Sequence, residues 1–273
     1  MPDFGLFRGF SDKLVAGQTP VNLGLIGTLD ADVLSYFYRV TAAGGTLTAT
    51  EQTAINTLVS QMKANNIWDS MKAVYPMVGA SAAACAQNLV SANYTGSFTS
   101  GWTFASAGVT GNGTSSFMNT SLIPSSVLAL NSAHLSVYLR TVLTPNQIFL
   151  GSKSTPPNDL IYLLNYGFLA INNGDTVATN TIGQNGFFVN SRTASNSVKQ
   201  YKNNAVLSAL TTTSTGLSVA SIYVGAFNNG GTVLLPSNNQ IAFASIGDGL
   251  NDTQETNFYT AVQAFQTTLS RQV

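Results

Sequence analysis

From Gly79 onward the chain breaks into short runs rich in Val, Ile, Phe, Tyr and Thr, separated by Asn and Gly, and this punctuation restricts the fold more than any other feature. Antiparallel sheets need such a texture, with β-branched and aromatic side chains on a pleated surface and reversals at residues that tolerate unusual backbone angles. The runs are Trp102 to Phe104, Ser116 to Asn119, His134 to Arg140, Gln147 to Leu150, Ile161 to Leu164, Phe168 to Ile171, Gly186 to Asn190, Ser197 to Lys202, Ser221 to Phe227 and Gln240 to Gly247. Between Leu135 and Arg140, alternation puts Leu135, Val137 and Leu139 on one face and Ser136, Tyr138 and Arg140 on the other. One buried face is expected there.

A helical stretch precedes the strands. Val33, Leu34, Phe37 and Tyr38 share one helical face, with Gly44-Gly45 as a stop. Thr48 and Glu51 fit the N-cap and N3 positions of a capping box, ahead of Ile55, Leu58, Val59 and Met62 at three-and-four spacing. Ile67, Trp68 and Met71 predict a third short helical turn, ended by Pro76. At the far end Asp252 is expected as N-cap with Glu255 three residues on, followed by Phe258, Val262, Phe265 and Leu269 down one side. Residues 1–29 carry Phe4, Phe7, Phe10, Leu25 and Ile26 among glycines with no sustained period. Such a segment cannot form its own core, so these side chains are expected to anchor on the chain's own sandwich or on a neighbouring subunit. The expected organisation is an anchoring segment 1–29, a helical buttress 30–76, and a β-sandwich 77–273 that closes with a helix at 252–271.

Charge narrows the partners. Only 8% of residues are charged, and 11 basic residues balance 11 acidic ones. No basic stripe is available to neutralise phosphates, so nucleic acid is not an expected partner. Near-zero net charge also offers little repulsion between copies and points toward assembly. No apolar run approaches the ~20 residues of a membrane span. Met1-Pro2-Asp3-Phe4 lacks the basic start and apolar core of a signal peptide. The single cysteine, Cys85, forms no internal disulfide and is expected as a small buried hydrophobe.

Catalytic groups are sparse. Glu51 and Glu255 are the only glutamates, both in predicted first helical turns, and between residues 77 and 247 the carboxylates are Asp159 and Asp175, each in a loop without an acidic neighbour. A paired-acid glycosidase is not supported. His134, the only histidine, begins a strand, and no nucleophile elbow is present, so no catalytic residue is assigned. One histidine and one cysteine cannot build a zinc site, so no metal site or cofactor is assigned; calcium on Asp159, Asp175 or Asp248 stays open. Lys199, Tyr201 and Lys202 are the groups an unusual enzyme would have to use, but alternation separates Lys202 from the other two. Loops rich in Asn and aromatics suit glycans, because rings stack on sugars while amides bond hydroxyls. The candidates are Tyr162, Asn165 and Tyr166, near Asn172 and Asn173, and Asn228 and Asn229 in Phe227-Asn228-Asn229-Gly230-Gly231.

Gly111-Asn112-Gly113-Thr114-Ser115-Ser116-Phe117, the strand His134 to Arg140, the strand-turn-strand Ser197 to Leu207, and Ile222 to Phe227 with Phe243 to Asp252 occur in an order that resembles the concanavalin A-like, laminin-G-type jelly roll. In that resemblance Asn204 stands where glycine is usual in the turn, and it still suits a positive φ. The likeness covers roughly residues 95 to 273. Together with the helical preface Thr46 to Pro76 and the closing Ile246 to Val273, it is similar to an arrangement in proteins of tailed bacteriophages. The resemblance implies a mainly β fold, an antiparallel jelly-roll sandwich with an N-terminal helical segment and a C-terminal helix. It further implies a non-enzymatic virion protein: a fibre, spike or capsid decoration made in the host cytoplasm. Expected partners are other virion proteins, further copies of itself (a trimer by analogy) and host-surface glycans. A secreted carbohydrate-binding module or adhesin is the alternative.

Overall fold

The computed structural model describes residues 29–141, 147–154, 160–164, 168–174, 177–178 and 185–273. Among them the fold is mainly β, an antiparallel sandwich with helices at both ends. The proposed anchoring residues Phe4, Phe7, Phe10, Leu25 and Ile26 lie outside the described residues.

The first helix, Ala31–Ala42, starts where the Asp30 side chain accepts from the Asp32 N–H. The second, Ala49–Ala64, forms the capping box that Thr48 and Glu51 predict. Glu51 does more than cap: its second oxygen accepts the Gly79 N–H at 2.8 Å. Gly79 has φ +78°, and a Cβ there would collide with the Thr46 carbonyl and Ala84, so only glycine lets the chain pass this close. The predicted third helical turn is cut short. Trp68–Ser70 makes one turn of 3-10 helix, and Met71–Tyr75 then runs as a strand of the main sheet, because Lys72 alternates with buried Met71 and Ala73 and the edge of Gln240–Gly247 is open to it.

Among the described residues that main sheet has eight strands and the second sheet nine. The order in the main sheet is Ala205–Leu210, Ser197–Lys202, Gly186–Ala194, Ala133–Leu139, Gln240–Gly247, Gly108–Thr110 and Thr103–Ala105, with Met71–Tyr75 beside the later part of Gln240–Gly247. The second sheet centres on Ile148–Lys153, Tyr223–Val224 and Leu160–Leu164. Among the described residues its one parallel pairing joins Phe227–Asn229 to Ile148–Lys153. The Asn203-Asn204 hairpin adopts φ +47° and +68°, the left-handed geometry that two-residue turns require and asparagine tolerates.

Between the sheets lie Leu135, Val137, Leu139, Phe188, Ile241 and Ile246, with Phe149, Leu150 and Ile171 from the second sheet. The face of Ala133–Leu139 expected to be buried, Leu135, Val137 and Leu139, is buried, and so is the opposite one: every residue of the strand is buried. Its outer face is covered by helices. Tyr138, Phe187 and Phe243 meet Phe258, Val262 and Phe265 of the closing helix, Asp252–Thr268, and Ile55, Leu58 and Met62 of the second helix join the same cluster. The rings meet mostly edge to face: Phe187–Phe258 centroids are 5.3 Å apart at 78°, and Phe243–Phe258 6.0 Å apart at 63°. The architecture is therefore helix on sheet on sheet.

Phe258 is fully buried at the centre of this ring cluster. Phe258→Ala is expected to cost roughly 3–5 kcal/mol in urea unfolding, against under ~0.5 kcal/mol for the exposed Thr256→Ala, whose methyl and hydroxyl leave the core untouched.

Candidate functional site

A cleft of about 400 Å³ opens where the closing helix starts, above the outer face of Gly186–Ala194 and Ser197–Lys202. The two strands pair with Ser191 opposite Lys199 and Val189 opposite Tyr201, so Ser191, Lys199 and Tyr201 share the outer face. The chain from Gln240–Gly247 into the helix arches over them. Gly249 lies so near the Arg192 carbonyl that a Cβ would clash. Ser191 then clasps the next residue from both sides: its hydroxyl accepts the Leu250 N–H and donates to the Leu250 carbonyl, each at 2.8 Å.

The N-cap is Asn251, not Asp252. Asn251 and Gln254 close a capping box one residue earlier than the sequence suggests, and this frees Asp252 for other work. Asp252 lies over the strand pair instead. Lys199 Nζ reaches both of its carboxylate oxygens at 2.7 Å, and the Tyr201 hydroxyl donates to Oδ1 at 2.7 Å. Hydrogen bonds from Lys199 and then from Tyr201 hold the Asp252 carboxyl below the usual range, and burial, followed by the carboxylate itself, pushes the Tyr201 phenol up. The cleft thus presents an ionised carboxylate and an ammonium side by side, with Thr193 and Ser197 hydroxyls further along. Its charges cancel locally.

Glu255 was expected as part of the cap. It is instead turned inward, 1% exposed, with neither carboxylate oxygen hydrogen-bonded. Desolvation, helped by the Asp252 charge, raises its pKa to about 7. Two carboxyls one helical turn apart with opposed shifts is a pattern seen in acid–base pairs. Here the geometry opposes it: Glu255 is sealed from solvent and does not line the cleft, so it has no contact through which to pass a proton to a ligand.

Of the residues expected to bind glycan, Asn165 and Tyr166 lie outside the described residues, and Tyr162 falls on the strand Leu160–Leu164. Asn228 is buried and serves its own turn: Nδ2 donates to the Ser221 carbonyl, and Oδ1 accepts the Gly231 N–H, both at 2.8 Å. Asn229 is half-buried, with Oδ1 unpaired. Asn172 is also buried, donating to the Ala129 and Leu130 carbonyls from a backbone at φ +54°. Asp248 pairs with Lys72 at 2.7 Å, while Asp159 and Asp175 lie outside the described residues. Among the described residues no three His, Cys, Asp or Glu side chains converge as metal ligands, and no helix is long and apolar enough to cross a membrane.

No family model matches the chain, and no curated protein matches it. Solved structures give partial likenesses. Domain 4 of AbnA, a GH43 extracellular arabinanase from Geobacillus stearothermophilus, in complex with arabinotriose, superposes with a TM-score of 0.49 at 20% identity, covering 69% of this chain and 98% of that one. The CBM40 of the Ruminococcus gnavus IT-sialidase bound to α2,3 sialyllactose gives 0.35 at 18%, covering 45% and 80%. The botulinum neurotoxin serotype D binding domain gives 0.44 at 10%, covering 71% and 52%. The sandwich assignment stands on the two stacked sheets themselves.

Glu255 and His134 impose opposite pH dependences. Glu255 titrates near 7 when folded against 4.5 in its ordinary range, so the folded state binds the extra proton and stability falls as pH rises through that window. His134, fully buried and lowered to about 4, is neutral when folded and charged when unfolded, so stability rises with pH from about 4 to 6.5. The two slopes offset each other in the native protein. Glu255→Gln, which mimics the protonated acid, leaves the histidine slope alone. Its melting temperature is expected to climb between pH 4.5 and 6.5 and to exceed the parent's at pH 8 by the equivalent of roughly 2–3 kcal/mol. A variant that tracks the parent at every pH contradicts the buried-acid assignment.

Proposed function

We propose that the chain is a non-enzymatic, lectin-like recognition sandwich, displayed on a virus particle as a fibre, spike or capsid decoration, that adheres to host-surface glycans. The observation that supports recognition is the cleft at Lys199, Tyr201 and Asp252, a concave polar surface whose donor and acceptor are fixed in place and whose charges cancel. Such a surface serves ligands that offer hydroxyls in place of charge. The acid beside it, Glu255, is sealed away, which favours binding over turnover.

Display on a particle is supported by the scarcity of charge, 11 basic and 11 acidic residues in 273, which leaves copies little electrostatic reason to stay apart. The apolar residues of segment 1–29 serve as the anchor in this reading. A free carbohydrate-binding module shares the recognition half and differs in its solution state.

Light scattering on the full chain and on a version lacking residues 1–29 separates the two settings. An oligomer that dissociates when the segment is removed is the expected result, and a monomer in both cases refutes the display half. A glycan array probed with the full chain is expected to give binding to a subset of neutral glycans. Silence across the array and in titration with free saccharides removes the recognition half.

A further inference from the structure

We propose that the cleft binds a neutral saccharide through two adjacent hydroxyls, one donating to the Asp252 carboxylate and the other accepting from the Lys199 ammonium. This rests on the glycan-recognition reading above and adds to it a site and a ligand chemistry.

Lys199 spends two N–H groups on the Asp252 oxygens, which leaves the third for a ligand. Asp252 Oδ1 takes Lys199 and Tyr201 while Oδ2 takes Lys199 alone, so the carboxylate keeps acceptor capacity on the Oδ2 side. Its side chain is 66% exposed, so a ligand can reach it. A donor and an acceptor held this close match neighbouring hydroxyls on a sugar ring, where one oxygen gives a proton and the next receives one. The pair is already in place before binding, since Tyr201 is 2% exposed and pins the carboxylate from beneath. A ligand therefore need not order it.

Charge selects the class. An anionic ligand that draws on Lys199 meets the Asp252 carboxylate, and a cationic one that draws on Asp252 meets Lys199. A polyhydroxyl compound meets neither penalty. Further along, the Thr193 and Ser197 hydroxyls are 3.4 Å apart, a weak contact that either can exchange for a ligand hydroxyl. The volume lies at the lower end of the range for small-molecule sites and holds a monosaccharide or a short oligosaccharide end. Because the Tyr201 ring is buried, it offers no exposed face for stacking, and affinity is expected to be roughly millimolar per site.

The test is titration of the isotopically labelled full chain with methyl α-D-mannopyranoside and methyl β-D-galactopyranoside, followed by amide chemical shifts. N-acetylneuraminic acid and glucosamine serve as anionic and cationic counterparts. The expected result is saturable shifts confined to residues near 191–201 and 249–253 for at least one neutral glycoside, with the charged sugars much weaker. Asp252→Asn is expected to weaken that binding roughly tenfold. Ser197→Trp, which fills the cleft beside the ion pair, is expected to abolish it at an unchanged melting temperature. Equal binding of the charged sugars overturns the ligand class. Neutral-sugar binding that survives both variants, with shifts elsewhere, overturns the site and leaves the glycan reading standing. No binding of any saccharide here or on the glycan array overturns that reading itself.

Discussion

Burial of the central strands of the main sheet on both faces is the constraint from which the rest of the structure follows. A two-layer sandwich leaves one face of each sheet to water, but here the closing helix and the helical front occupy the outer face, and Ala133–Leu139 has no exposed residue. Each polar group in that layer must then find its partner inside the protein, since an unmet donor or acceptor costs about 1–3 kcal/mol. Ser136, Ser245 and His134 answer this as a chain: Ser136 Oγ lies 2.6 Å from Ser245 Oγ, which lies 3.0 Å from His134 Nε2, and His134 Nδ1 meets the Asp248 carbonyl at 2.6 Å. A carbonyl only accepts, so Nδ1 carries the proton and Nε2 receives one from Ser245. The imidazole is thereby fixed in its neutral form, a crosslink between neighbouring strands with no route to solvent.

Two buried arginines extend the same logic to the ends of the layers. Arg192 donates to the carbonyls of Ile171, Ala194, Ser195 and Thr212, joining the main sheet to a strand of the second sheet and to the loop at Thr212. Arg271 donates to the carbonyls of Pro76, Met77 and Ala242 and to the Gln266 side chain, tying the end of the closing helix to the start of the sandwich. None of these partners is a carboxylate. Planar guanidinium groups can satisfy several carbonyls at fixed angles, which a lysine ammonium does less well. Arg192 matters to the cleft as well, because its own carbonyl sits beneath Gly249 and sets how closely the loop bearing Asp252 approaches the sheet.

The β texture, the Thr48–Glu51 cap and the Asn203-Asn204 turn were legible because each rests on local chemistry: alternation, a side chain reaching three residues, a backbone angle. What escaped was non-local. Met71–Tyr75 reads as a continuation of a helix until its partner Gln240–Gly247, far along the chain, is known. The outer face of Ala133–Leu139 carries no local mark of the helices that cover it. Half of the cleft was visible, since alternation puts Lys199 and Tyr201 on one strand face, but Asp252 and Glu255 looked like the two ends of one cap. The cap formed by Asn251 and Gln254 sits one residue earlier, and it leaves Asp252 to Lys199 and Tyr201, contacts that lie some fifty residues back in the chain. Asn228 misled for a related reason: the amide that suits a sugar hydroxyl also suits a tight turn, and the turn claimed it.

The lone thiol sits at the junction of these parts. Cys85 is fully buried in the core between the sheets, with Sγ 3.3 Å from the Val78 carbonyl, and burial holds its pKa up to about 12. A group so placed reacts only during excursions that open the packing around it. Since the chain has no second cysteine, each molecule can be labelled once. The protein therefore contains its own clock for the opening of its core, read by the pace at which a thiol reagent is consumed.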